Sequence, residues 1–216
     1  MAEEVILLDY WPSPFGTRAR IALAEKGISY IHKFEDLPNK SPLLLKMNPV
    51  HQKVPVLVHK DKPVCESDTI IQYIDEVWNQ SIPLLPSEPH QRYMARFLVD
   101  FINKKVYESS IKVWMGATEE QENGKKELVE WCKLLEAELG NKLYFGGDVF
   151  GFVDIALVPF YNWFIVFKKF ANFNLETECP KLVMWGNRCL NRDSVSKSLP
   201  TSEQVYQAYL EFKRGW

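Results

Sequence analysis

Tyr10-Trp11-Pro12-Ser13-Pro14-Phe15-Gly16 is the stretch on which the reading of this chain turns. Before it, Val5 to Asp9 forms an apolar strand pattern. After it, Phe15 to Lys26 has helical spacing, with Ala19, Ala22 and Leu23 on one side and Arg18, Arg20, Glu25 and Lys26 among the polar positions. Serine is a preferred N-cap and proline is favoured at the first helical position. Gly27 stands where a helix closing after Lys26 wants a left-handed residue. A strand therefore ends and a helix begins at Ser13. Its hydroxyl is placed where unpaired amides and a partial positive charge favour an anion. Taken alone, the heptapeptide reads first as a plain helix cap.

Outward from there, Tyr30 to Phe34 is a second strand, and Ser41-Pro42 repeats the cap-plus-proline signal ahead of a short helix through Met47. Val54 to Val58 and Pro63 to Cys65 form a hairpin about Lys60-Asp61-Lys62, and a third helix runs from Asp68 to Trp78. The order β-α-β-α-β-β-α predicts a thioredoxin-like α/β domain over residues 1–78. Residues 79–88 carry Pro83 and Pro86 with little periodicity and read as a linker. Residues 89–216 read as an all-α helical domain, with helices over about 90–115, 119–139, 154–171, 180–190 and 202–213. Phe152 to Phe167 holds Asp154, Pro159 and Asn162 and is short of a membrane span, so a buried core helix is expected. Gly151 stands where a capping box would carry serine or threonine, so only the Asp154 half of that box is present.

The 216 residues carry a formal net charge of −2, with lysines and arginines scattered among acids, which points to no nucleic-acid partner and no membrane surface. Four separated cysteines without a C-x-x-C pair predict no disulfides, and four histidines without ligand spacing predict no metal site. With no signal-like start, a cytoplasmic location is expected. The high aromatic content, seven Trp and thirteen Phe, needs a destination beyond an ordinary core.

Three further places have the chemistry of a peptide-binding groove. Val54-Pro55 opens a strand; if that bond is cis, Val54 turns its own N–H and C=O outward, where a ligand backbone can pair as an added strand. Glu66-Ser67 stands at the start of the third helix, with Ser67 expected as its N-cap. Ser67 suits a carboxylate and Glu66 suits the neighbouring ammonium of an amino-acid head group. Lys40 and Lys53 flank the second helix as point charges for a second carboxylate. Each has an ordinary counterpart: a trans proline, a plain cap, a solvated lysine.

Together these residues resemble the plant glutathione S-transferases of the tau class. The resemblance spans essentially the whole chain. It rests on the opening heptapeptide and on Asn39-Lys40-Ser41-Pro42-Leu43-Leu44, Asn48-Pro49-Val50-His51, Val54-Pro55-Val56-Leu57 and Cys65-Glu66-Ser67. In the second half it rests on Lys104-Lys105-Val106-Tyr107, Tyr144-Phe145-Gly146-Gly147 and Gly151-Phe152-Val153-Asp154-Ile155-Ala156. The resemblance implies that glutathione is the co-substrate, with Ser13 hydrogen-bonding its sulfur. Glu66 and Ser67 would hold the γ-glutamyl end, Val54 beside Pro55 the cysteinyl backbone, and Lys40 and Lys53 the glycine carboxylate. It also implies a pocket for hydrophobic electrophiles formed by Tyr107, Ile111, Trp114 and Trp163, with Phe15 and Phe212 nearby, and a homodimer. Tyr107, Ile111 and Trp114 do share one helix face, as do Trp163 and Phe167, although such stripes usually belong to a core. Asn103 departs from the acid expected before Lys104-Lys105, leaving Asp100 as the alternative charge. Conjugation of electrophiles or reduction of organic hydroperoxides is the implied activity. The alternative is a carrier of glutathione or apolar ligands with the same fold. Thiol-disulfide exchange is set aside because position 13 is a serine.

Overall fold

The computed structural model describes residues 4–214, which divide into two compact units, one running to Leu84 and one starting at Leu85. The division falls inside the segment expected as a linker. That segment is not a bare connector: Leu84 donates its N–H to the Asp75 carboxylate, and Lys26 reaches the carbonyl of Ile82.

In the first unit β1 (Val5–Asp9), β2 (Ile31–Phe34), β3 (Val56–His59) and β4 (Lys62–Cys65) form one sheet in the order β2-β1-β3-β4. β1 and β2 are parallel, with Ile6 opposite Ile31. β3 is antiparallel to both its neighbours, with Leu7 opposite Leu57 and Val56 opposite Cys65. The helices are α1 (Pro14–Glu25), α2 (Pro42–Met47) and α3 (Ser67–Val77). Side chains alternate through the sheet. Leu8, Val56 and Val58 cluster with Leu44 of α2 on one face, while Leu7 and Leu57, also wholly buried, point the other way. α1 and α3 pack against each other, and α3 against β3 and β4.

The boundaries follow local chemistry. β3 starts at Val56 rather than Val54 because Pro55 has no N–H for a ladder. The hairpin turns through Lys60 and Asp61, both at positive φ (52° and 60°), the pairing that suits the twist of a two-residue turn. α1 closes as expected, with Gly27 at φ 66° and the N–H of Ile28 returning to the carbonyl of Leu23.

The second unit is helical: α4 (Pro89–Phe101), a π-helical turn (Ile102–Val106), α5 (Tyr107–Met115), α6 (Thr118–Leu139), α7 (Phe152–Phe170), α8 (Pro180–Leu190), α9 (Asp193–Ser196) and α10 (Ser202–Lys213). α4, the π turn and α5 run on as the single helix that periodicity suggested. α9 is one turn long, too short for any periodic signal. α7 is buried on nearly every side and is the core of this unit. Among the described residues no helix is long and apolar enough to cross a membrane. At its start, Asp154 accepts hydrogen bonds from the N–H groups of Gly151 (3.0 Å) and Phe145 (3.1 Å) and from the indole of Trp185 (2.7 Å). The Asp154 half of the box is thus formed, and Phe145 and Trp185 add two donors to it from outside the helix. Complete burial pushes the Asp154 carboxyl up to about 6 against the pull of those donors.

Candidate active site

Ser13 is the N-cap of α1, with Pro14 at the first helical position. Its Oγ accepts the N–H of Gly16 at 3.3 Å, so the hydroxyl proton is directed elsewhere. A half-buried hydroxyl at a helix N-terminus with a proton to give is a donor to an anion.

The strand register brings the Val54-Pro55 segment and Glu66 to the sheet end from which Ser13 emerges. The Val54–Pro55 bond is cis, and Val54 lies just outside the β3 pairing, packed on the cluster of Leu8, Leu44 and Val56. The antiparallel register that sets Val56 opposite Cys65 places Pro55 and Glu66 at the same end of that ladder. Glu66, not Ser67, takes the N-cap position of α3, and it does so at φ 67°, a left-handed conformation unusual for a side-chain-bearing residue. Ser67 is therefore the first residue of the helix rather than its cap, and this corrects the expectation. Being inside the helix, Ser67 is buried, and its hydroxyl accepts a hydrogen bond from Arg18 Nη1 at 3.1 Å. The Glu66 carboxylate stays exposed, 3.9 Å from the ring of the exposed His51.

Arg18, one of the polar positions of the helix, is completely buried. Burial lowers its pKa to about 10, with Asp68 opposing, so at neutral pH it remains a cation directly behind Ser67. Arg20, another of the polar positions, is buried on Asp9. α1 is enclosed on all sides over its middle, and its arginines are tolerated there because each finds a partner, Ser67 for Arg18 and Asp9 for Arg20.

Lys40 is half-buried and Lys53 exposed, at the two ends of α2. Two buried residues that sequence reasoning missed shape their loops. Glu35 accepts both the N–H (3.0 Å) and the hydroxyl (2.7 Å) of Ser41, next to Lys40. Asn48 donates to the carbonyl of Lys53 (3.0 Å) and accepts the N–H of His51 (3.1 Å). A buried acid and a buried amide in an otherwise apolar segment are the signals that mark such staples.

In the second unit Trp114 of α5 stacks on Trp163 of α7, with centroids 4.7 Å apart and planes at 19°. Tyr209 and Phe212 of α10 meet the Trp114 ring edge-on at 5.3 and 6.2 Å, and Phe170 stacks on Tyr209 at 3.8 Å. Tyr107 contacts Phe160, which meets Trp163. Four of the six expected pocket residues, Tyr107, Trp114, Trp163 and Phe212, thus join one aromatic cluster, and Phe170 and Tyr209 join it unannounced. Trp114 and Trp163 are nearly buried, whereas Tyr107, Ile111 and Phe212 are partly open. Phe15 belongs to the first unit, where the Arg18 guanidinium lies 5.0 Å from its ring centre. Asn103 lies on the π turn, and Asp100 pairs with Lys104 at 2.9 Å.

The four cysteines are free thiols. Burial raises all of their pKa values, Cys179 to about 11, so none has the character of a nucleophilic thiolate. Among the described residues no group of side chains is arranged to hold a metal ion.

A thioredoxin-like unit with a serine at the N-cap of its first helix, joined in sequence to an all-helical unit, is the architecture of a glutathione-handling enzyme. Known proteins agree. Family models described as the N-terminal and C-terminal domains of glutathione S-transferase match residues 3–76 and 93–193. Glutathione S-transferase U25 of Arabidopsis thaliana is 57% identical over 214 residues, covering 99% of this chain and 97% of its own. Probable glutathione S-transferase parA of Nicotiana tabacum is 57% identical over 212 residues, covering 98% and 96%. Among solved structures, rice GST1 in complex with glutathione superposes with a TM-score of 0.93 at 42% identity, covering 100% of this chain and 99% of the rice chain. A tau-class enzyme from mango gives a TM-score of 0.90 at 36% identity over 97% and 98%. The chain belongs to the glutathione S-transferase family, in its plant tau class.

Proposed function

We propose that this glutathione transferase uses Ser13 to hold glutathione as a thiolate and delivers it to hydrophobic electrophiles. The observation that carries the reading is the Ser13 hydroxyl at the α1 N-terminus, accepting from Gly16 and so left with its own proton to donate. A free thiol with a pKa near ~8.5 is only a few per cent ionised at neutral pH; lowering that by about 2 units takes roughly 2.7 kcal/mol. A hydrogen bond to a charged acceptor supplies about 1.5 to 3 kcal/mol and the helix end about 0.5 more, so one serine suffices. The thiolate sulfur then forms a bond to an electrophilic carbon, displacing a leaving group such as halide with its electron pair or adding across an activated alkene.

The rest of the tripeptide follows from charge. Its γ-glutamyl carboxylate meets Ser67 and the first amides of α3, with the Arg18 cation behind the Ser67 hydroxyl. Its ammonium meets Glu66, its cysteinyl backbone pairs with Val54 beside cis-Pro55, and its glycine carboxylate meets Lys40 and Lys53. The cluster of Tyr107, Trp114, Trp163 and Phe212, with Ile111 on the same face of α5, provides the apolar side for the second substrate. A homodimer fits the exposed apolar groups, Val50 in the first unit and the stacked, half-open Tyr93 and Phe97 of α4 in the second. Free cysteines fit a cytosolic location.

Titrating the ultraviolet thiolate absorbance of enzyme-bound glutathione tests the central step. The bound thiol is expected to ionise about 2 pH units below the free one, and Ser13→Ala is expected to remove that shift. Identical titration of bound and free glutathione in both proteins overturns the mechanism in favour of a carrier.

A further inference from the structure

Beneath the Ser13 turn lies a chain of buried polar groups that the mechanism so far leaves unused. Asp9, the last residue of β1, is wholly buried, and its Oδ2 takes an ion pair from Arg20 Nη1. The other terminal nitrogen of Arg20 donates twice, to the carbonyl of Trp11 at 2.8 Å and to Thr17 Oγ1 at 2.7 Å. Thr17, also wholly buried, donates a hydrogen bond from its hydroxyl to the carbonyl of Ser13 at 3.0 Å, and its N–H donates to the same carbonyl at 3.0 Å. The N–H of Ser13 meanwhile donates to the carbonyl of Tyr10 at 2.8 Å. The carbonyls of Tyr10, Trp11 and Ser13 are therefore all held, and the guanidinium of Arg20 also lies 4.2 Å from the centre of the Trp11 ring.

A Cβ on Gly16 would come 1.6 Å from Asp9 Oδ1, so the glycine of the heptapeptide is the space into which the carboxylate fits. On its open side the pair is faced by His32, whose Nε2 is 3.3 Å from Asp9 Oδ2 without hydrogen-bond alignment, and by Tyr30.

We infer that Asp9, Arg20 and Thr17 are positioning residues that fix the ψ angle of Ser13 and so aim its hydroxyl at the glutathione sulfur. Ser13 stands at φ −65° and ψ 125°, and its carbonyl, the group that reports ψ, accepts from both donors of Thr17. Removing the hydroxyl of Thr17 leaves that carbonyl with the Thr17 N–H alone, so one of its two restraints is lost and the aim of a directional hydrogen bond loosens. Spacing explains why the three act together. Ser13, Thr17 and Arg20 are four and three apart on one face of α1, and Asp9 is the residue from which the turn departs.

The inference rests on Ser13 being the thiol's donor, and the test separates the two. Thr17→Val, which keeps the shape and removes the hydroxyl, is compared with Thr17→Ser, Ser13→Ala and the double variant Ser13→Ala/Thr17→Val. Thr17→Ala replaces the valine variant if that protein does not fold. Thr17→Val is expected to raise the pKa of bound glutathione by roughly half to one pH unit and to lower kcat about three- to tenfold at neutral pH. The KM for glutathione should change less than about twofold. Thr17→Ser restores both quantities, and on the Ser13→Ala background the loss of the Thr17 hydroxyl has no further effect on the thiol. A bound thiol that ionises in Thr17→Val as it does in the native enzyme, or an equal added loss on the Ser13→Ala background, overturns the positioning role alone. A bound thiol that ionises in Ser13→Ala as low as in the native enzyme overturns the donor role of Ser13 and the positioning role with it.

Discussion

Each unit buries one carboxylate completely, and the two are satisfied in opposite ways. Asp9 faces a full cation, Arg20, whose remaining donors run on into the turn that carries Ser13. Asp154 faces only neutral donors, two backbone N–H groups and the Trp185 indole, and its task ends at the start of α7. The contrast extends to the surroundings. The first unit sets polar atoms at particular distances around one reacting group, whereas the second assembles rings whose contacts tolerate exchange. Hydrogen bonds are directional and leave a buried partner stranded when broken; ring packing is broad and forgiving of shape.

The strongest way to break the contrast is Gly16→Ala. The added methyl cannot coexist with Asp9 Oδ1, so the buried pair must part, with an expected loss of about 3 to 5 kcal/mol of stability in denaturant unfolding. A loss below about 1 kcal/mol would mean that the carboxylate moves aside freely.

Asp154 offers the next largest effect and a sign of its own. Its pKa rises from 3.8 to about 6 on folding, so between those values the native protein binds more protons than the unfolded chain. Its contribution is therefore complete below about pH 4 and lost as pH rises through about 6, at most about 3 kcal/mol. The melting temperature of the native protein relative to Asp154→Asn should fall over that window and level off above it. Parallel profiles would show that the three donors outweigh burial.

Ser13→Ala should lower kcat toward an activated aryl halide about 10- to 150-fold near neutral pH, the worth of one charge-assisted hydrogen bond of about 1.5 to 3 kcal/mol, with unchanged circular dichroism. Within the aromatic unit, Trp114→Leu should shift the preference between a large and a small electrophile by roughly fivefold, about 1 kcal/mol, and leave the KM for glutathione unchanged. An effect on glutathione itself would erase the division of labour. The smallest effect is expected at the edge of the polar site. Lys40→Ala should raise the KM for glutathione about two- to fivefold, and less in high salt, as for a partly solvated point charge.

Much of this was legible in the amino-acid order. Ser13-Pro14 marks the start of α1 because capping and proline geometry act within four residues. Ser41-Pro42 does the same for α2, and the continuous apolar run Val56 to Val58 marks a strand buried on both faces. The candidate glutathione residues were legible for the same reason: each sits at an element boundary that its own neighbours define. The aromatic cluster was half legible. Spacing on α5 and α7 showed Trp114 and Trp163 as stripes, but nothing local says that they stack on each other or that Phe170 and Tyr209 join them.

Sequence by itself determined where strands give way to helices, the two-part order of the chain, and the hydroxyl at the first helix. Tertiary structure alone decided that Arg18 and Arg20, polar by any pattern, are buried behind the site. It also decided that Glu66 and not Ser67 caps α3, and that Asp9 reaches Ser13 through two intermediaries. Helix caps and strand alternation are interactions between residues a few positions apart, so their cost and gain are written locally. A buried charge is tolerable only where a partner is brought to it, and for Arg18 that partner lies 49 residues away.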